Sequence, residues 1–219
     1  MDPFEDETVD SLGTTVDDLV AIGRLLDSPR LAHIWFTLQV EGNLITEGTD
    51  RNSFAWKGLT VSELSEHLSG EVPQSTLYSD MDELEEIGAV RIRTDGQPTG
   101  YSARFFQAEA ENIDEVGEAG LVGPQIIGLV GEAFTDKAVQ HFLETHGQGS
   151  LNDALQIYTA SLRGSLNQDF VEIFPDVDSN ELEAIVPAIE RVLLEMSRDP
   201  LWGGDYRSDL AIEDGGTDT

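Results

Sequence analysis

The sequence predicts a mainly α chain with one small β-hairpin, an α+β arrangement in which a helical C-terminal segment follows the hairpin. Three observations predict it. Apolar residues recur at spacings of three and four over most of the chain, as they do along one face of an α-helix. Between Ala89 and Phe106 the spacing falls to two on either side of the turn-forming run DGQPTG, which is the pattern of a hairpin. Beyond about residue 111 no comparable strand signal returns.

Taken in order, Thr15 to Asp18 makes a Thr-x-x-Asp helix start, and Leu19, Ile22, Leu25 and Leu26 follow at helical spacing, so a first helix is expected over about 15–26. A second begins at Ser28-Pro29. The serine hydroxyl can accept an unpaired backbone N–H, and proline at the first helical position lacks a donor that would go unused there. The buried stripe of this helix is read as Leu31, Ile34, Trp35 and Leu38. From Glu41 to Gly58 the pattern breaks into a glycine- and asparagine-rich loop whose one strand-like piece is FAW, at 54–56.

Thr60-Val61-Ser62-Glu63 then forms a capping box ahead of a short helix that buries Val61, Leu64 and Leu68 and ends at Gly70. After the turn at 70–72, Pro73 opens a longer helix with Leu77, Met81, Leu84 and Ile87 on its inner side, stopped by Gly88 in a left-handed cap. AVRIRT and YSARFF are the hairpin strands. Further on, LVGPQIIGLVGEAF, TDKAVQHFLETHG, LNDALQIYTASLRG and NELEAIVPAIERVLLEMSRD read as four helices, punctuated by Gly147, Gly149 and Gly164. Several are apolar on more than one side, so they need a partner surface, either the N-terminal half or a second subunit.

With 219 residues and 39% hydrophobic content, the chain can build a sizeable core. Its charge is the unusual quantity: 43 acidic residues oppose 12 basic ones, a net charge of −31, and lysine occurs only at Lys57 and Lys137. Acid is spread over every segment instead of one face, which disfavours an acidic DNA mimic. The composition resembles that of proteins from halophilic archaea. In molar salt the Debye length falls to about 3 Å, so carboxylates barely repel one another and their hydration maintains solubility. The absence of cysteine excludes disulfides, zinc–thiolate sites and cysteine nucleophiles. No apolar run reaches the length of roughly 18 residues that spans a bilayer, so a cytoplasmic protein without a membrane partner is expected.

The run VSELSEHLSGEVPQSTLYSDMDELEEIGAVRIR resembles the winged helix-turn-helix transcription regulators of the PadR, ArsR and TrmB type. The resemblance rests on a short helix, a turn, a helix carrying Ser75, Thr76, Leu77, Tyr78, Met81, Leu84 and Gly88, and a basic strand from Val90 to Arg93. It covers about 80 residues, Ser28 to Gln107. It implies a winged helix-turn-helix domain over 15–108 and a helical dimerisation or effector domain over 109–204, between acidic tails at 1–14 and 205–219. The implied function is sequence-specific recognition of double-stranded DNA by a homodimeric regulator, its two subunits joined through helices between about 121 and 164.

An α-helix fits the major groove with residues near its N-terminus reaching base edges. Gln74, Ser75, Thr76, Tyr78 and Ser79 hold that position. Glutamine can pair with adenine, and hydroxyls can reach phosphate or base. The wing adds Arg91, Arg93 and Arg104 on its strands, with Gln97 and Thr99 at its tip. One departure stands out. Where such regulators commonly carry a basic residue after the tyrosine, this chain has Ser79-Asp80, and the helix continues through Asp82, Glu83, Glu85 and Glu86. An alternative use of the same fold is therefore a protein-interaction module in transcription-initiation or chromosome-partition machinery.

Nothing in the sequence points to catalysis, a cofactor or a metal, because no phosphate-binding glycine loop, Gly-x-Ser-x-Gly elbow or His-Glu-x-x-His pattern occurs. His33 and His67 are read as structural. His141 and His146 are five residues apart, which does not place them on one helical face.

Overall fold

In a computed structural model the described residues are 16–42, 58–93, 99–104, 123–162, 164, 173–174 and 177–198. The two acidic tails, the FAW piece, Gln97 and the phenylalanines of YSARFF lie outside them. The order of elements is α1 (Val16–Asp27), α2 (Pro29–Glu41), α3 (Val61–His67), α4 (Gln74–Glu86), β1 (Val90–Arg93), β2 (Gly100–Ala103), α5 (Pro124–Glu132), α6 (Lys137–Leu162) and α7 (Ser179–Arg198). The chain is thus mainly helical, with one small antiparallel hairpin among the described residues.

Local chemistry sets most boundaries. The Ser28 hydroxyl accepts from the Leu31 N–H, and Pro29 opens α2. At α3 both halves of the capping box are made: Thr60 accepts the Glu63 N–H at 3.2 Å, and Glu63 accepts the Thr60 N–H at 2.9 Å. α4 ends where Gly88 adopts φ +71°, a conformation that a side chain would oppose. The Gly88 N–H then reaches the Glu85 carbonyl, and the Ala89 N–H reaches the Leu84 carbonyl. These two bonds satisfy the last carbonyls of the helix and aim the chain into β1.

The hairpin pairs Val90 with Ala103, Arg91 with Ser102, Ile92 with Tyr101 and Arg93 with Gly100. Leu59 adds a bridge on the other side of β2, its N–H donating to the Tyr101 carbonyl at 2.7 Å and its carbonyl accepting at 2.8 Å. The segment leading into α3 is therefore fixed to the hairpin.

α2 is more enclosed than a one-sided stripe would make it. Leu31, Ile34, Trp35 and Leu38 are buried as their spacing predicts, but Ala32, Phe36, Gln39 and Val40 are buried too. The reason is α5, which packs along α2 and covers its second face. The partner surface that the apolar C-terminal helices require is thus found within the chain, and one hydrophobic core runs from α1 through the hairpin to α7. α6 is broken at Gly147, whose φ of +80° lies outside the helical range, so its two limbs correspond to the second and third of the four C-terminal helices expected.

The α2–α5 contact depends on small residues. A methyl group on Gly131 would lie 2.8 Å from the His33 backbone, and one on Gly128 would lie 2.7 Å from the Phe36 ring. Gly149, in contrast, is exposed within α6 and has open space around it. Gly131→Ala is expected to lose about 1–3 kcal/mol through overpacking. Gly149→Ala should gain up to about 1 kcal/mol from helix propensity alone. Urea unfolding of both variants in molar KCl measures the pair, and equal shifts in one direction would contradict the close α2–α5 packing.

Candidate nucleic-acid interface

α4 buries Leu77, Asp80, Met81 and Leu84, so its opposite side carries Ser75, Ser79, Asp82 and Glu86. Gln74, Ser75, Tyr78 and Ser79 are exposed and Thr76 is half-buried, so the sequence-derived contact residues of α4 share the outer surface of its first two turns. Pro73 caps the helix without a side-chain hydrogen bond. The positive end of the helix dipole is therefore left for an outside acceptor. Tyr78 is 54% exposed, so over half of its side chain faces solvent and not the core.

The acids of α4 separate into two groups. Asp80 is only 2% exposed and faces inward, where Arg30 of α2 forks onto it with hydrogen bonds of 3.0 and 2.9 Å. Glu83 meets Arg24 of α1 at 2.6 Å. Asp80, which the sequence set beside the expected contacts, is thus turned away from the outer face and neutralised. Asp82, Glu85 and Glu86 remain exposed towards the C-terminal end.

On the hairpin, Arg91 is exposed and pairs across the strands with Ser102, and Thr99 is exposed at the start of β2. Arg93 is placed by its backbone in β1 opposite Gly100. Arg104 has other surroundings. It lies just past β2, bonds Asp18 of α1 at 2.6 Å and donates to the Gly88 carbonyl at 3.3 Å. That arrangement makes it a strut between α1 and the root of the hairpin, so of the two wing arginines whose side chains are described, Arg91 is the one that suits an outside anion. The sequence carried no signal for this strut, because Asp18 precedes Arg104 by most of the N-terminal half.

Tyr101 sits half-buried between the hairpin and α4. Burial, then the charges of Asp82 and Glu85 and the neighbouring Tyr78, push its phenol above the ordinary value of 10.0. A raised phenol contributes stability that is fully present below about pH 10 and is lost as pH rises through the folded-state value. Thermal unfolding followed from about pH 9 to pH 12 should show this alkaline loss in the native chain and a smaller one in Tyr101→Phe. Identical pH profiles would contradict the placement of Tyr101.

The histidines all meet glutamates. His33 lies 3.2 Å from Glu71 and His67 3.9 Å from Glu41, ties that link α2 to the α3–α4 turn and to the end of α3. His141 and His146 converge on a shared partner despite their five-residue separation: Glu181 of α7 reaches them at 3.3 and 2.9 Å. Hydrogen bonding from His146, and secondarily from His141, holds the Glu181 carboxyl below its usual range. Among the described residues no group of three or more histidines and acids is arranged to hold a metal ion. None of the described helices is long and apolar enough to cross a membrane. A cleft of about 590 Å³ runs between α2, the α3–α4 turn, the α5–α6 corner and α7, with Glu132, Asp136 and Arg191 joined in ion pairs on one wall.

No family model matches the chain, and no curated protein or solved structure matches it.

Proposed function

We propose that this chain is a winged helix-turn-helix regulator of transcription that binds double-stranded DNA as a homodimer in a high-salt cytoplasm. α4 enters the major groove and the hairpin lies against the adjoining backbone. The observation that carries the reading is the division of α4. Its outer surface from Gln74 to Ser79 is uncharged and rich in hydroxyls, while Asp80 is held inward by Arg30 and the partly exposed Glu83 is paired with Arg24 on the helix's flank. Such a helix start can approach phosphates and base edges that a fully acidic helix would repel. The bridge from Leu59 to Tyr101 supports the winged form, since it ties the segment ahead of α3 to the hairpin.

Counterion release contributes little in molar salt, so shape and hydrogen bonding supply more of the affinity than in a dilute buffer. A homodimer places two reading helices about 34 Å apart, in successive major grooves on one side of the duplex. α5 is enclosed by its own chain, so the second subunit is expected on α6.

The test is a mobility-shift assay with the full chain and genomic fragments in molar KCl. A discrete set of retained fragments supports the reading, and no retention by protein with intact helical dichroism overturns it. The second reading, a protein-interaction module of transcription-initiation or chromosome-partition machinery, draws on exposed Asp82, Glu85 and Glu86. It takes over in that second outcome.

A further inference from the structure

The outermost line of α4 reads Ser75, Ser79, Asp82 and Glu86, each about one turn from the next. Two of the helix's acids are removed from this line, Asp80 by burial against Arg30 and Glu83 by its bond to Arg24. Asp82 is therefore the first acid met on the outer line beyond the uncharged start. An ionised carboxylate only accepts hydrogen bonds, so it needs donors wherever it is desolvated.

In the major groove such donors lie in one kind of place. The backbones flanking the groove present phosphates, whereas the groove floor presents the exocyclic amino groups of cytosine and adenine. Glu86, a further turn along, has no such partner if α4 lies flat, because the end of the helix then meets phosphate. The charge pattern favours an α4 that enters by its N-terminus, with Asp82 as the last side chain inside the groove. Adenine sets an N7 acceptor beside its amino group, which repels a carboxylate, whereas cytosine presents its amino group beside a C–H.

We propose that Asp82 is a specificity-determining residue that accepts a hydrogen bond from the N4 amino group of a cytosine in each half-site. This inference rests on the DNA-binding reading above. Asp82 is exposed and outside the core, so its replacement leaves the fold intact.

The experiment is selection of duplexes from a random pool by the full chain in molar KCl, with Asp82→Asn and Asp82→Ala alongside. The native chain should enrich one cytosine in each half-site, preferred over other bases by about 5- to 150-fold. Asp82→Ala should lose the preference at that position alone, and Asp82→Asn should move it to adenine, whose N6 and N7 suit a carboxamide. Unchanged preferences at every position in Asp82→Ala overturn the inference and leave the DNA-binding reading standing. A native chain that enriches no duplex overturns both.

Discussion

Replacing Trp35 by alanine is expected to destabilise the protein by about 3–5 kcal/mol, nearly all of it from a large core cavity, since the Ala89 carbonyl that loses the indole keeps the Arg104 N–H at 2.9 Å. Trp35 is fully buried at the centre of α2, and its indole N–H donates to the Ala89 carbonyl at 3.0 Å. The side chain thus joins the core to the point where α4 hands over to the hairpin. Trp35→Phe keeps most of the volume but drops the hydrogen bond, and should lose about 0.5–1.5 kcal/mol, because the Ala89 carbonyl still accepts the Arg104 N–H. Urea unfolding followed by circular dichroism in molar KCl separates the two. A Trp35→Ala shift no larger than that of Trp35→Phe would mean that the hydrogen bond, and not the packing, dominates at this position.

Arg30→Ala should be the most damaging change among the charged residues. The Asp80 side chain is 3% exposed, while that of Arg30 is 43% exposed. Removing the guanidinium leaves a buried carboxylate without its partner, at about 3 kcal/mol. Salt screens buried pairs far less than exposed ones, so this loss should persist in molar KCl. Arg24→Ala, which breaks a pair 56% and 36% exposed, should lose less than about 1 kcal/mol. Adding Asp80→Leu to Arg30→Ala removes the orphaned charge and should recover much of the stability. If the single and double variants unfold at the same urea concentration, Asp80 does not carry an uncompensated charge and the inward fork is wrong.

This contrast also marks where the sequence was legible. Signals that act within a few residues could be read directly: Ser28-Pro29, the Thr60–Glu63 box, Gly88 and the period-two strands each satisfy or redirect backbone groups beside them. The inward turn of Asp80 was implicit as well, since it lies on the same helical face as Leu77, Met81 and Leu84. Its counter-ion was not, because Arg30 lies 50 positions earlier and no local rule pairs them. The same limit applies to Glu181 between His141 and His146, and to Arg104 on Asp18. Likewise the apolar excess of α5 could be recognised, while its partner could not: the N-terminal half and a second subunit stood as alternatives, and packing against Phe36 and His33 of α2 gives the partner of α5 within the chain.

The candidate site followed the same division. Gln74, Ser75, Tyr78 and Ser79 share an exposed surface, as the helical spacing requires, and Arg91 is exposed on β1. Arg104 left that set for a contact that only the folded chain creates.

The central claim, that the outer face of α4's first turns reads DNA, is tested most directly by Ser79→Glu. Ser79 is exposed, so the substitution should leave the unfolding midpoint unchanged. Set against phosphate or a base acceptor, the added carboxylate costs several kcal/mol, which should weaken binding to a retained duplex by roughly 100-fold or more in molar KCl. Duplex binding by Ser79→Glu as tight as that of the native chain would contradict the claim.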